Sequence, residues 1–235
     1  ANDQEVVYFI NRYKVTSLIE LGEFDEAYKI SHGINSDPHG IRRMIDAEFL
    51  ALLKADKPID ALIFLEKWRF HLGPESVQLQ NLFIDIYIEL KDDAKLKRAV
   101  KELTDIDRLN PDLYILAIKK WHRAGKQEEL EAAFTRYMLL FGWDEVNLRK
   151  VNNLVTSLRE IPLIEQVLNY TRKRGMKEEV ILFNLFYAYL MNGRWEEAGG
   201  VLDLLKGSLD TFSPIDQRLI SIGETIVILK REQRN

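Results

Sequence analysis

The chain of 235 residues has no cysteine, which excludes disulfides, thiolate metal ligation and a cysteine nucleophile while leaving the redox compartment open. Glycine and proline are scarce, at 12 and 6 residues, and charged residues make up 30% against 46% hydrophobic. That balance belongs to an ordered, helix-rich soluble protein and not to a disordered one. Long apolar runs are also missing. The longest stretch without a charge is Val180 to Gly193, fourteen residues, shorter than the ~20 needed to cross a bilayer as a helix, so no membrane span is expected. Nor does either sign of charge dominate. The formal net charge is −4 and the sequence pI about 5.7, which argues against a nucleic-acid binder, whose affinity comes mainly from phosphate neutralisation by a basic surface. The balance drifts only mildly, from 9 basic against 13 acidic residues in 1–75 to 13 against 11 in 146–235. Residues Ala1 to Glu5 have neither the basic start nor the apolar core of a signal peptide. The missing initiator Met points to a trimmed chain whose targeting segment is gone, and a cytoplasmic setting is the expectation.

What is present is a repeat. The segment Leu21-Gly22-Glu23-Phe24-Asp25-Glu26-Ala27 recurs as Asn192-Gly193-Arg194-Trp195-Glu196-Glu197-Ala198 and, more loosely, as Ala124-Gly125-Lys126-Gln127-Glu128-Glu129-Leu130. Each copy joins two apolar periodic segments, with glycine closing the first helix and acidic residues opening the second, which describes a helical hairpin. Degenerate copies start at Ala55, Leu90 and Arg159. In two of them, Pro58 and Pro162 fall where a second helix begins, the helical position that tolerates proline. Equating Gly22, Asp56, Lys91, Gly125, Glu160 and Gly193 gives steps of 34, 35, 34, 35 and 33 residues.

A period of about 34 residues with Gly, an aromatic, two acids and Ala around the turn resembles the tetratricopeptide repeat, over about residues 5–210. Further matching features are Pro38, Pro74 and Pro111 closing units, and large apolar residues four before the turn glycine at Leu18, Trp121 and Tyr189. The middle units lack the turn glycine or the small alanine, and Glu48 and Asn152 stand near positions the family fills with apolar residues. The resemblance implies an all-α fold, a right-handed superhelical solenoid of about six hairpins with a C-terminal capping helix, forming a single domain over 1–235. Units are expected at 4–38, 40–74, 76–111, 112–144, 145–176 and 178–207. Their helix pairs are read at 4–21 and 24–34, 40–55 and 58–71, 76–90 and 93–109, 112–124 and 127–141, 145–159 and 162–174, and 178–192 and 195–206. The cap is expected at 213–232, with Leu219, Ile222, Ile226 and Leu229 as its packed stripe and Arg218, Glu224 and Lys230 wet. Gly207 to Ser213 is the best hinge.

Because a single hairpin cannot bury its apolar face, neighbours stack and curvature makes a groove. In the family the first helix of each pair lines that groove. Position by position this proposes Arg12 and Thr16, Asn81 and Asp85, Lys119 and His122, and Asn184 and Tyr187 as partner-binding residues. Phe183, four residues before Tyr187, would add an apolar anchor. The implied function is a non-enzymatic scaffold that holds a peptide or helix of a partner protein within a larger complex. Some relatives clamp a chaperone's C-terminal carboxylate with Lys and Asn, but the set is incomplete here. Two alternatives stay open. Phe183-Asn184 and Ala188-Tyr189 before Gly193 also resemble a pentatricopeptide repeat, implying a single-stranded RNA binder, although Leu185 stands where that family places a polar base reader. The chain could also be a regulatory or accessory domain of a multidomain protein.

Other chemistry finds little support. His32, His39, His71 and His122 form no i, i+4 pair, so no metal or cofactor is expected. No serine occupies a nucleophile elbow, and scattered carboxylate pairs say nothing of acid catalysis without a pocket. Gly199-Gly200 falls inside a helix, where each glycine costs ~1 kcal/mol relative to alanine unless close packing against a neighbour offsets it. The run Lys95 to Lys101 reads as a solvated helix face. Lys119 to Arg123 and Arg172 to Arg174 could align with Arg149-Lys150 as a basic patch.

Overall fold

One backbone device closes every hairpin. After each first helix the chain passes through a residue with left-handed φ: Asp56 at 57°, Lys91 at 54°, Gly125 at 66°, Arg159 at 61° and Gly193 at 69°. The following N–H reaches back to the carbonyl five residues earlier, Lys57 to Leu52, Asp92 to Tyr87, Lys126 to Trp121, Glu160 to Val155 and Arg194 to Tyr189, at 2.9–3.1 Å. The left-handed residue's own N–H bonds three residues back, as Lys91 to Ile88 and Arg159 to Thr156. This paired closure satisfies carbonyls that the helix end would otherwise orphan. The same five-residue reach is made by Glu23 N–H to Leu18 O, 2.8 Å.

The series corrects one sequence equivalence. The fifth turn residue is Arg159, not Glu160, whose φ is −83°. The steps from Asp56 become 35, 34, 34 and 34. With neither position a glycine, the sequence had no marker to separate them; only the backbone angle does.

The computed structural model describes residues 52–72 and 76–233, together with isolated earlier positions, and excepting the side chains of residues 68 and 70–72. Helices are numbered from the first one described throughout: α1 Pro58–Leu72, α2 Val77–Glu89, α3 Asp93–Ile106, α4 Pro111–Arg123, α5 Gln127–Phe141, α6 Glu145–Ser157, α7 Ile161–Lys173, α8 Glu179–Met191, α9 Trp195–Lys206 and α10 Pro214–Glu232. A short 3-10 turn, Leu209–Thr211, precedes α10. Among the described residues there is no strand. The expected helix ends agree to within three residues. Pro58, Pro162, Pro111 and Pro214 all fall at helix starts; Pro111 thus opens α4, where its missing N–H costs nothing. The first helices α2, α4 and α6, and α10, begin under side-chain caps: Ser76 accepts from Leu79 N–H, Asn110 from Asp112, Asp144 from Asn147 and Ser213 from Asp216, at 3.0–3.2 Å, whereas α8 has none. Pro38, Pro74, Glu48, Gly22 and the helices read at 4–34 lie wholly or mostly outside the described residues.

The chain divides into two compact units, residues 1–106 and 107–235. In the first, α2 packs on α1 and α3, around Phe49, Leu65, Leu79 and Ile86, all fully buried. In the second, each helix packs on its chain neighbours, and the first helices also meet one another, α4 with α6, α6 with α8 and α8 with α10. Helix α8 touches α6, α7, α9 and α10. That encirclement explains the fourteen uncharged residues read from the sequence: Ile181, Leu182, Leu185, Phe186 and Tyr189 are all buried, and a helix apolar on most sides is a covered one. Each such side chain gains ~1.5–3 kcal/mol by leaving water.

Position by position, the first helices bury one residue seven before the turn: Phe49, Ile84, Ile118, Asn152 and Phe186, none more than 1% exposed. Ile220 of α10 continues the series 34 residues on. The second helices bury a residue five after the turn, Ala61, Leu96, Leu130, Ile164 and Ala198. Large residues fill this second position in the middle units, where small alanine was looked for, because Leu96, Leu130 and Ile164 all find buried space.

Helix α10 departs from expectation. Its packed face is Ile220, Gly223 and Val227, whereas Leu219, Ile222, Ile226 and Leu229 are exposed. The glycine allows the close approach: a Cβ at Gly223 would stand 2.6 Å from Phe186 Cζ and 2.8 Å from Leu190 Cδ1. Ion pairs Lys206–Glu224 (2.7 Å) and Arg231–Glu196 (3.2 Å) tie α10 to α9. The two helical glycines of α9 separate in role. Gly199 lies under the Arg231 guanidinium, while Gly200 has open space around it. The segment before α10 is held by Gln217 Nε2, which donates to Leu209 O and Phe212 O at 3.1 Å.

Candidate functional site

In the second unit the contacts α4–α6–α8 bring three first helices side by side, so residues at equal distance from the turn line up in rows. Six before the turn stand Lys119, Asn153 and Tyr187, all exposed. Ten before it stand Ile115, Arg149 and Phe183, and thirteen before it Asp112, Val146 and Val180. Offsets of six, ten and thirteen lie on one helix face, so these rows make a single mixed surface. Lys150 Nζ to Asp112 Oδ1, 3.0 Å, and Tyr137 O–H to Asn147 O, 2.9 Å, fix α4, α5 and α6 beneath it.

The expected site residues distribute as follows. Arg12 and Thr16 lie outside the described residues, as do His32 and His39. In the first unit Asn81 is half-buried, its Oδ1 buried without a hydrogen-bond partner, and Asp85 is buried. In the second unit Lys119 and Tyr187 are exposed and share a row. His122 is half-buried, its Nε2 3.5 Å from Glu160 Oε1 at the start of α7. Asn184 is half-buried beside them. Phe183 is half-buried and stacks obliquely on Phe212, ring centroids 5.9 Å apart, so part of its ring is covered within the chain. Leu185, at the position of a base reader in pentatricopeptide repeats, is buried.

The expected groove residues include none from the fifth unit; Arg149 was singled out only for a basic patch, and Val146 and Asn153 not at all. A turn register shifted by one residue hid them; counting 34 from Asp112, Ile115 and Lys119 reaches all three.

Beneath the row lies a cavity of about 180 Å³ whose wall includes Leu148, Ile181, Val180 and Phe212, with Arg149 and Lys177 at its rim. Asn152 lines it too, 1% exposed, with Oδ1 buried and unpartnered. This is the one first-helix core position of the series not filled by an apolar residue. A buried amide oxygen without a donor costs roughly 1–3 kcal/mol, so the site carries an unmet acceptor.

The cations considered for a basic patch are largely committed. Arg149 pairs with Glu145 at 2.7 Å, Arg172 with Glu178 at 2.5 Å, Lys150 with Asp112, and Arg174 lies over the Tyr170 ring at 4.9 Å. The Lys95 to Lys101 face is solvated, with Lys95–Asp92 and Arg98–Glu102 pairs. The largest shifts in acidity belong to two phenols of the core. Burial, then the hydrogen bond donated to Glu165, pushes the Tyr189 phenol up to about 12, and burial raises Tyr137 further still. Neither phenol faces the row. Among the described residues no group of three or more potential ligands is gathered for a metal, and no helix is long and apolar enough to cross a membrane. No protein-family model matches the chain, and no curated protein matches it either.

Proposed function

We propose that the chain is a tetratricopeptide-like scaffold, its hairpins stacked in a right-handed superhelix, which holds an extended segment or helix of a partner protein against the first-helix face and performs no chemistry of its own. The observation that carries this is the row Lys119, Asn153 and Tyr187 on three adjoining helices. It offers a cation, an amide and an aromatic at a regular spacing, suited to polar and ring contacts along an elongated ligand. Supporting it are the recurrent turn and the restriction of packing to near neighbours in the chain, the pattern of solenoids. Nothing in the row pairs a nucleophile with a base at hydrogen-bonding distance. The buried Leu185 weighs against the RNA reading.

Photo-crosslinking tests it. A benzophenone amino acid at Lys119, Asn153 or Tyr187 is expected to capture partner protein in source-cell extract, and one at exposed Glu131 of α5 is not. Equal capture from both faces, or capture from Glu131 alone, refutes the assignment. Phe183→Ala with Tyr187→Ala should lower capture at Asn153 in a chain whose circular dichroism is unchanged.

A further inference from the structure

Helix α10 keeps the register of the first helices but lacks what they have. In α8, Ile181, Leu185 and Ala188 are buried. Their counterparts 34 residues on are Ile215, Leu219 and Ile222, and these are 72%, 42% and 57% exposed. The difference lies in the neighbours. Helix α8 is followed by α9, its own hairpin partner, and by α10; among the described residues α10 is followed by no helix. With Ile226 at 38% and Leu229 at 52% exposed, the five residues fall at intervals of four, three, four and three. That is the seam of a two-stranded helical pairing, and a contiguous exposed apolar face of this kind marks an interaction surface.

Charge decides the occupant. Consider a second copy of α10 laid antiparallel, the sense in which hairpin partners run, so that Leu219 meets Leu229 and Ile222 meets Ile226 of the other copy. The flanking positions then set Arg218 against Glu232 and Asp216 against Lys230, each twice by symmetry. Arg218 and Glu232 are exposed and have no ion-pair partner among the described residues. A parallel pairing would instead set Arg218 against Gly223 and Thr225 against Lys230, with no opposite charges. We propose that the exposed face of α10 is a symmetric, antiparallel interface between two copies of this chain. This stands apart from the groove assignment, since the two use different faces of different helices.

Light scattering and sedimentation of the full chain over about 1–100 µM measure it. A dimer is expected. Ile222→Asp, at a position exposed in the single copy, should raise its dissociation constant about a hundredfold while leaving helicity in place, and should abolish the concentration dependence of the thermal midpoint. Arg218→Glu should weaken the dimer several-fold, and Arg218→Glu with Glu232→Arg should restore it, which only the antiparallel register allows. Since the chain has no cysteine, Thr225→Cys, opposite its own copy in this register, should be joined by a short bismaleimide, whereas Ser221→Cys should not. A wild-type monomer throughout overturns the proposal, as does a dimer indifferent to Ile222→Asp. A dimer that the double charge reversal fails to restore overturns the antiparallel register.

Discussion

Replacing Arg159 by glycine should stabilise this protein, and the size of the gain follows from one backbone angle. Arg159 sits at φ 61°, where the Cβ of an L-residue crowds the following carbonyl at a cost of roughly 1–2 kcal/mol. Glycine removes the clash but gives the unfolded chain more freedom, returning roughly 0.5–1 kcal/mol. The net is a gain of about 0.5–1 kcal/mol, or ~1–4 °C in midpoint for a chain of this size. Lys91, at φ 54°, should respond equally. Asp56 should respond less, because aspartate tolerates the left-handed region better. The two gains should add, since the residues share no contacts. Glu160→Gly is the control. Its φ is −83° and its carboxylate faces His122, so glycine there relieves nothing and costs about 0.5–1 kcal/mol. Urea unfolding followed by helical circular dichroism gives the midpoints, with fluorescence as a second probe to establish that the transition is cooperative. If Arg159→Gly is neutral or destabilising, or if Glu160→Gly matches it, the turn register described above is wrong.

Three other perturbations read the packing directly. Gly223→Ala should cost about 1–2 kcal/mol despite alanine's better helix propensity, because its methyl would lie 2.6 Å from the buried Phe186 ring. Gly200→Ala, with nothing near it, should instead stabilise by up to ~1 kcal/mol, and paired thermal melts separate the two. Asn152→Leu should stabilise by about 1–2 kcal/mol, since it removes an unpartnered buried acceptor from a position held elsewhere by Phe49, Ile84, Ile118 and Phe186; a loss in the urea midpoint would show that the amide is satisfied in solution. Tyr189 contributes to an alkaline limb together with Tyr137, whose phenol burial raises further. The Tyr189 phenol, ordinarily near 10, is raised to about 12 by burial and Glu165, so the folded state holds a proton that the unfolded state releases in this window. The corresponding stability is complete below pH 10 and drains away between pH 10 and about 12. Tyr189→Phe should flatten that fall in urea midpoints taken at successive alkaline pH values.

Much of the architecture was legible because hairpin chemistry is local. Glycine at a left-handed turn, acids at a helix start and proline in a first turn each have a short-range cause, so Gly125, Gly193, Pro58 and Pro162 marked their helices without tertiary information. The site was less legible. Lys119 and Tyr187 could be assigned to the first-helix face because their own units have clear turns, while Asn153, which shares their row, was passed over because Arg159 and Glu160 look alike to any rule that waits for glycine. Phe183 has a neighbour that was illegible for a different reason. The periodicity of Phe183 places it on the outer face correctly, but no local pattern foretells that Phe212, from the segment before α10, would come to lie against it.

Helix α10 shows why apolar pattern alone cannot locate a packed face. Its apolar residues form two overlapping stripes, Ile215–Leu219–Ile222–Ile226–Leu229 and Ile220–Gly223–Val227, and the first looks the better core because it is longer and contains no glycine. Which stripe is buried depends on which neighbours exist. Helices α8 and α9 precede α10 and take the stripe through Gly223, where the absent side chain lets Phe186 approach. The longer stripe begins at positions equivalent to Ile181, Leu185 and Ala188, which α8 buries, and it is exposed among the described residues. A repeat therefore encodes apolar contacts on more than one side, and an uncovered stripe specifies the shape of what covers it: for α10, an antiparallel helix with acid and base placed opposite Arg218 and Glu232.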